Sequence, residues 1–181
     1  MVRFMNESIE RFKKVEADFN ARVEAAPDSA WSNQSPCAQW KARDVVVHVA
    51  NQYRRMAGGT LPEIAEGEDI RKAWSASREA LHSMLASADL SANVDGPFGP
   101  MPLDQLMGRI IATDTLVHTW DLARSVGGDE KLDAEAVAGA YSGLKPMDAM
   151  IRQPGVFGPK IEAAEGDDTQ TEFLKFLGRQ V

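Results

Sequence analysis

The sequence predicts an all-α protein. Apolar residues recur at helical spacing in four long segments, and Gly or Pro residues separate these segments from one another. No segment shows the strict apolar–polar alternation of a half-buried strand. Four amphipathic helices bury their apolar faces most simply by packing side by side, so we expect a four-helix bundle with a short C-terminal extension.

The first two helices are defined by their apolar spacing and by the residues that end them. Phe12 and Phe19 lie on one face of the first predicted helix, and Pro27 follows it as a stop. A loop then leads to the second helix, predicted over residues 42–56 and ended by Gly58 and Gly59. Apolar residues lie nearly all round this second helix, which indicates that it is buried.

The third and fourth helices are separated by a stretch rich in Gly and Pro. The third helix is predicted over residues 69–88. Residues 89–101 predict a loop, with room for a short extended piece. The fourth helix should begin near Pro102, a favoured first-turn residue, and end before Gly127.

The rest of the chain predicts two shorter helices, over residues 132–144 and roughly 168–177, on either side of an irregular segment at 152–160. We therefore divide the chain into a helical bundle, residues 1–130, and a helical extension, residues 131–181. The extension is expected to pack on the same domain.

Composition excludes several classes of protein. The 181 residues include 27 acidic and 20 basic side chains, a net charge of −7, so no basic surface is predicted that would bind nucleic acid. No apolar run reaches the ~18 residues of a membrane span, and the first residues lack the apolar stretch of a secretory signal. We expect a cytoplasmic protein without a membrane partner. Cys37 is the single cysteine, which excludes an intrachain disulfide.

The apolar face of the fourth helix carries three polar side chains: Asp114, His118 and Asp121. A buried carboxylate is costly unless it is neutralised, paired or bound to a metal. Asp114 and His118 are one helical turn apart, the spacing at which a helix offers two ligands to one metal ion.

A third ligand must come from another element. His48 lies in the second helix between Val45 and Val49, and it meets Asp114 and His118 if the second and fourth helices pack side by side. Three protein ligands with an open position are typical of a catalytic zinc site. Two histidines and one carboxylate also suit iron, so the ligands do not fix the metal.

Other interpretations of these residues stay open. Asp114 and His118 also fit an internal hydrogen-bonded pair without metal. Asp121 fits either an acceptor for a ligand histidine or, the interpretation that we favour from sequence, an ion pair or helix cap. Gln52 is a candidate for orienting a ligand, and Arg55 is a candidate for holding an anionic substrate group. Cys37 is expected to be buried and inert.

Two segments resemble a known family. CAQWKARDVVVHVA at residues 37–50 resembles a C-x-x-W-x-x-x-D-x-x-x-H segment of the DinB-like superfamily, in its mycothiol-dependent maleylpyruvate isomerase branch. HTWDLARSVG at 118–127 resembles the H-x-W-D-L-A-x-x-x-G motif of that branch, and the tail from 152 resembles an uncharacterised actinobacterial subgroup.

The resemblance implies a DinB-like four-helix bundle with a divalent metal near one end. It implies that His48 and His118 are ligands and that Asp114 takes the place of an acidic or histidine ligand. The isomerase typically has glutamate there, and aspartate is one methylene shorter. We therefore expect Asp114 to reach the metal less directly or through water. The isomerase also has a fuller C-terminal domain.

Three functions follow as hypotheses. The first is a metal-dependent transferase or isomerase whose co-substrate is mycothiol or a similar thiol, acting on a small electrophile with zinc or nickel as the metal. The second is a metal-dependent hydrolase, although H-E-x-x-H is absent. The third is a non-enzymatic bundle that binds a metal or another ligand. The sequence leaves open whether the chain forms a homodimer.

Overall fold

The structure is a computed structural model that describes residues 2–152 and 157–181, with side chains from residue 7 onward. The described chain is mainly helical, and the predicted dominance of helix is confirmed. It divides into two compact units, Met1–Glu130 and Lys131–Val181. Within the described residues, no helix is both long and apolar enough to cross a membrane.

The long helices of the first unit fall close to where the sequence predicts them. Asp44 accepts a hydrogen bond from the Lys41 amide at 2.8 Å, which caps the start of the second helix although Lys41 is not a usual capping residue. Gly127 ends the last helix in the left-handed conformation that glycine adopts freely. The bounds are Val2–Ala25 (α1), Ala42–Met56 (α2), Ile70–Ser87 (α3), Leu103–Gln105 (α4) and Ala112–Val126 (α5).

These helices share one apolar core. α2 packs against α3 and α5, and α1 packs against α5. Four aromatic rings from three helices pack together in this core. Phe12 contacts Tyr53 with 5.7 Å between ring centroids, and Phe19 contacts Trp74 at 4.9 Å. Tyr53 also contacts Trp74 at 5.2 Å. Burying rings of this size contributes much of the free energy that holds α1, α2 and α3 together.

The fourth predicted helix is not a uniform α-helix. Between α4 and α5 the backbone forms a π-helical segment, Leu106–Ile111, which the apolar spacing did not predict. A Cβ added to Gly108 in this segment would lie 2.6 Å from Ser8 Cβ and 2.8 Å from the Ser8 carbonyl oxygen. Only glycine allows α1 to approach so closely. Such segments are frequent next to functional sites.

The predicted loop at 89–101 contains a small hairpin. Strands Asn93–Gly96 (β1) and Gly99–Pro102 (β2) pair antiparallel, with Asn93 opposite Pro102. The hairpin leads into α4, since the Leu103 amide donates to the Ala92 carbonyl at 3.0 Å. It is the extended piece for which the sequence left room.

The second unit consists of short helices. Their bounds are Ala134–Leu144 (α6), Asp148–Ile151 (α7) and Thr169–Phe176 (α8). Asp133 caps α6 and Asp168 caps α8, each through a side-chain oxygen. Tyr141 contacts Phe173 and Phe176, with ring centroids 6.1 and 5.5 Å apart. Part of the irregular segment predicted at 152–160, namely 153–156, lies outside the described residues.

Candidate metal centre

α2 and α5 bring His48, Asp114 and His118 together. His48 Nε2 lies 3.4 Å from Asp114 Oδ2, and His118 Nε2 lies 3.6 Å from Asp114 Oδ1. One ligand atom from each residue lies within 4.8 Å of the other two. Asp114 and His118 converge because they are one turn apart on α5, and His48 joins them because α2 packs against α5.

The spacing of these atoms suits a metal ion. Two atoms that bind one tetrahedral zinc ion at ~2.0–2.1 Å are ~3.4 Å apart. The separation of 3.4 Å between His48 Nε2 and Asp114 Oδ2 lies close to that value, and the other carboxylate oxygen, Oδ1, lies 3.6 Å from His118 Nε2. His48 Nε2 is buried and makes no hydrogen bond within the described part of the chain. A nitrogen atom binds a metal ion through its lone pair, so it must not already use that lone pair in a hydrogen bond. His48 Nε2 meets this requirement in the described residues.

The other ring nitrogen of His118 is held by Asp121. His118 Nδ1 lies 2.9 Å from Asp121 Oδ2, and the Asp121 side chain has no exposed surface. Of the two roles considered for Asp121, the structure shows the acceptor for His118, and the same contact is an ion pair when His118 is protonated. A carboxylate on the second nitrogen fixes the ring and leaves Nε2 for a ligand.

The charges around His118 favour its protonated form when no metal is bound. Burial alone favours the neutral imidazole and lowers its pKa. The carboxylates of Asp114 and Asp121 outweigh burial and raise the pKa of His118 to about 10. A metal ion that binds Nε2 must therefore displace a proton from this ring.

Trp40 forms one wall of the centre. Its ring lies 4.9 Å from that of His48 and 5.7 Å from that of His118, measured between centroids. The two imidazoles are 4.8 Å apart. The indole thus covers one side of both candidate ligands and limits access of water from that side.

Cys37 is less buried than the sequence predicts. It is half-buried, and its Sγ donates a hydrogen bond to Asp121 Oδ2 at 3.3 Å. Together with His118 and Asp121 it forms a second group of potential metal-ligating atoms. Sequence reasoning missed this contact because 84 residues separate Cys37 from Asp121. The conformation of the loop before α2 determines it.

The remaining candidates lie along α2. Gln52 is one turn beyond His48, and its Oε1 is buried without a hydrogen bond in the described residues. Arg55 lies two turns beyond His48, is 59% exposed, and approaches Glu63 to 3.8 Å. Both His48 and Arg55 line a cleft of about 390 Å³ together with Trp40. A small molecule in this cleft would contact His48, one of the three candidate ligands, and the Arg55 side chain.

Comparison with known proteins relates the chain to one family. Residues 12–66 match the family model of the mycothiol maleylpyruvate isomerase N-terminal domain. This range includes Cys37, Trp40 and His48 and ends before α5 begins.

The chain is also similar to proteins of Mycobacterium tuberculosis that are described only as uncharacterized. One is from strain CDC 1551 / Oshkosh and one from strain ATCC 25618 / H37Rv. Each is 27% identical over 153 residues, which cover 81% of this chain and 84% of the relative. No solved structure gives a significant match. The comparisons therefore confirm the resemblance predicted from the sequence, and they relate this chain to the mycothiol maleylpyruvate isomerase N-terminal family, in keeping with the DinB-like superfamily.

Proposed function

We propose that this protein is a metal-dependent enzyme whose co-substrate is a low-molecular-weight thiol of the mycothiol type, acting in S-transfer or isomerisation of a small electrophile. The convergence of His48, Asp114 and His118, with ligand atoms within 4.8 Å of one another, carries the proposal. The family match over residues 12–66 supports the choice of thiol.

The donor set suits a borderline divalent ion. Two imidazole nitrogens and one carboxylate oxygen accept zinc or nickel, and these atoms would hold the ion. The lone pair of His48 Nε2 that no hydrogen bond occupies in the described residues supports this use. A divalent ion bound there would lower the pKa of a coordinated thiol and favour its thiolate.

The side chains around the centre have separate tasks in this proposal. Asp121 holds His118 in one orientation through Nδ1, and Trp40 excludes water from one side of both histidines. Gln52, one turn beyond His48 on α2, is the candidate for orienting a ligand, because its Oε1 is buried without a hydrogen-bond donor in the described residues. Arg55, at the far end of the cleft, attracts an anionic group of the electrophile.

We further propose that residues 1–130 form a four-helix bundle of the DinB type and that residues 131–181 are a helical extension of it. The pairwise packing of α1, α2, α3 and α5 supports the bundle. His48 on α2 and His118 on α5 both lie in the first unit, which supports assigning the metal to that bundle.

Thiol titration of the metal-loaded protein tests the function. Cobalt-loaded protein would be titrated with N-acetylcysteine, with S-methyl-N-acetylcysteine as the matched control that lacks the thiol. We expect saturable binding and a sulfur-to-cobalt charge-transfer band with the thiol alone. Metal uptake without thiol binding would overturn the thiol dependence and favour a hydrolase. Failure to take up metal would favour a non-enzymatic ligand-binding bundle.

A further inference from the structure

The loop between α1 and α2 carries Trp40, whose ring lies beside that of His118, and Cys37, which contacts the aspartate that holds His118. We call residues 34–41 the entry loop. The side chain of Gln34 donates to the Trp40 carbonyl oxygen at 2.9 Å, and the Ser35 amide donates to the same oxygen at 3.0 Å. Gln39 has a left-handed backbone, with φ of 68°, which is unusual for a residue other than glycine. These bonds fix the loop in one conformation that a free chain rarely adopts.

Within the entry loop, Cys37 is also tied by its backbone. Its amide donates to Ser35 Oγ at 3.1 Å, and its carbonyl accepts from the Trp40 amide at 3.1 Å. These bonds place the backbone of Cys37 within the loop, and the hydrogen bond to Asp121 Oδ2 gives the direction of its sulfur atom.

The thiol and the imidazole share one oxygen atom. Cys37 Sγ donates to Asp121 Oδ2 at 3.3 Å, and the same Oδ2 lies 2.9 Å from His118 Nδ1. The Asp121 side chain has no exposed surface, so protein donors must replace the water that a carboxylate binds in solution. The thiol is one of those donors. Its bond helps to keep Oδ2 where it can orient the His118 ring.

We infer that Cys37 is a positioning residue for the metal centre: its thiol holds Asp121, and Asp121 in turn fixes His118 for metal binding. This inference rests on the metal site proposed above. It assigns to the cysteine neither metal ligation nor a nucleophilic role. Removing a group that hydrogen-bonds to a ligand histidine typically lowers metal affinity ~10–100-fold. Cys37 contacts that group rather than the histidine, so its loss should lower metal affinity by a factor near the smaller of these values.

Two substitutions at Cys37 separate the hydrogen bond from simple packing. We expect Cys37→Ala to weaken zinc affinity about tenfold, as measured by competition with a chelator. Cys37→Ser keeps a donor and should restore most of the affinity. The visible spectrum of cobalt-loaded protein supplies a second readout, since a displaced His118 changes the ligand field although the protein stays folded.

The same substitution in an Asp121→Asn background tests the route. If Cys37 acts through Asp121, then Cys37→Ala has little further effect on zinc affinity once Asp121 has been changed. Equal weakening by Cys37→Ala and Cys37→Ser would overturn the hydrogen-bond role, and so would zinc affinity of Cys37→Ala equal to that of the wild type. In both cases wild-type zinc binding shows that the metal site stands. Absence of zinc binding by the wild type overturns both proposals.

Discussion

Two groups of histidine and carboxylate side chains lie in the first unit. They differ in whether the nitrogen and oxygen atoms of these side chains are hydrogen-bonded within the group. In one group, Glu16 is 2% exposed, and its oxygens lie 2.7 and 3.0 Å from His82 Nε2. Arg78 Nε donates to the same carboxylate at 3.3 Å. A cation and an imidazole thus compensate the buried charge, as a structural ion pair requires.

The second group is organised differently. His48 and His118 direct their Nε2 atoms toward the carboxylate of Asp114, and His48 Nε2 makes no hydrogen bond in the described residues. One divalent ion at this point would be bound by both imidazole nitrogens and the carboxylate at once. The contrast shows that a histidine beside a buried carboxylate is not by itself a metal site. What distinguishes the second group is that three potential metal-ligating atoms converge within 4.8 Å and that one of them, His48 Nε2, is buried without a hydrogen bond in the described residues.

The largest expected difference between the groups is in metal uptake. We expect His48→Ala and His118→Ala each to abolish zinc binding, because each removes one of three proposed ligands. His82→Ala is the matched control and should bind about one ion per chain like the wild type. Calorimetric titration and metal analysis of dialysed protein measure this. Zinc binding by His118→Ala at wild-type affinity would contradict the assignment.

The two aspartates near His118 should differ in the same assay. Asp114→Asn removes a direct ligand charge and should weaken zinc binding more than Asp121→Asn, which removes only support for His118 and should cost ~10–100-fold. Equal losses would mean that Asp114 acts at a distance. Wild-type affinity in Asp114→Asn would mean that it is not a ligand.

In the absence of metal, we expect a modest loss of stability from Asp114→Asn. Asp114 is 25% exposed and lies near both imidazoles, and its charge favours protonated His118. An unpaired buried carboxylate would behave differently, because asparagine in its place would leave the metal-free fold as stable or make it more stable.

The free energy of unfolding should depend more on the Glu16 group than on the Asp114 group, the reverse of what we expect for metal uptake. Glu16→Gln removes the charge that Arg78 and His82 surround, so we expect the free energy of unfolding to fall by about 1.5–3 kcal/mol. Asp114→Asn changes a more exposed carboxylate and should cost less. Urea unfolding of both metal-free variants gives the comparison. A larger loss from Asp114→Asn would show that Asp114 is the structural carboxylate.

The pattern of apolar residues predicts the helices well, because spacing and stop residues are local properties of the chain. The predicted second helix, residues 42–56, coincides with α2. The pair Asp114 and His118 was also accessible from spacing alone. His48 required one assumption about packing, that α2 lies beside α5, and the structure has that contact.

Other features depend on contacts between distant residues. The π-helical segment Leu106–Ile111 follows from the close approach of α1, and its only sequence signal is Gly108. The bond between Cys37 and Asp121 joins residues 84 positions apart, and the loop that carries Cys37 contains a left-handed residue, Gln39, which residue type did not indicate. Such features arise from tertiary packing, which local propensity does not report.

The pH dependence of stability tests the charge environment of His118. In the metal-free protein its pKa is raised from 6.5 to about 10, so the folded state binds a proton that the unfolded state releases. The resulting stabilisation is fully present below pH 6.5 and is lost as pH rises toward 10. Asp114→Asn should flatten this dependence, because the Asp114 charge is the largest cause of the raised pKa.

Zinc affinity should change with pH in the opposite sense. Since zinc displaces the His118 proton, apparent affinity should rise with pH over the same interval. Unfolding curves and zinc titrations at a series of pH values measure the two effects. Unfolding free energies of the wild type that do not fall between pH 6.5 and 10 would contradict the proposed protonation.

The smallest expected effect concerns the contact that joins α2 to α5 beside the centre. Tyr53 follows Gln52, Thr115 follows Asp114, and their hydroxyl groups lie 3.3 Å apart. Burial raises the pKa of Tyr53 well above 10, so its phenol stays protonated and keeps a hydrogen for this bond. Tyr53→Phe should lower the free energy of unfolding by about 1 kcal/mol, the usual worth of a neutral hydrogen bond.

Zinc affinity should not change in Tyr53→Phe, because the aromatic contacts of residue 53 with Phe12 and Trp74 keep α2 in place without the hydroxyl. Thr115→Val completes a double-mutant cycle, and a coupling near the whole loss would assign the effect to this one bond. A drop in zinc affinity with Tyr53→Phe would show that the hydroxyl pair sets the distance between His48 and Asp114. In that case the polar contact, rather than the aromatic core, positions α2 against α5 at the metal centre.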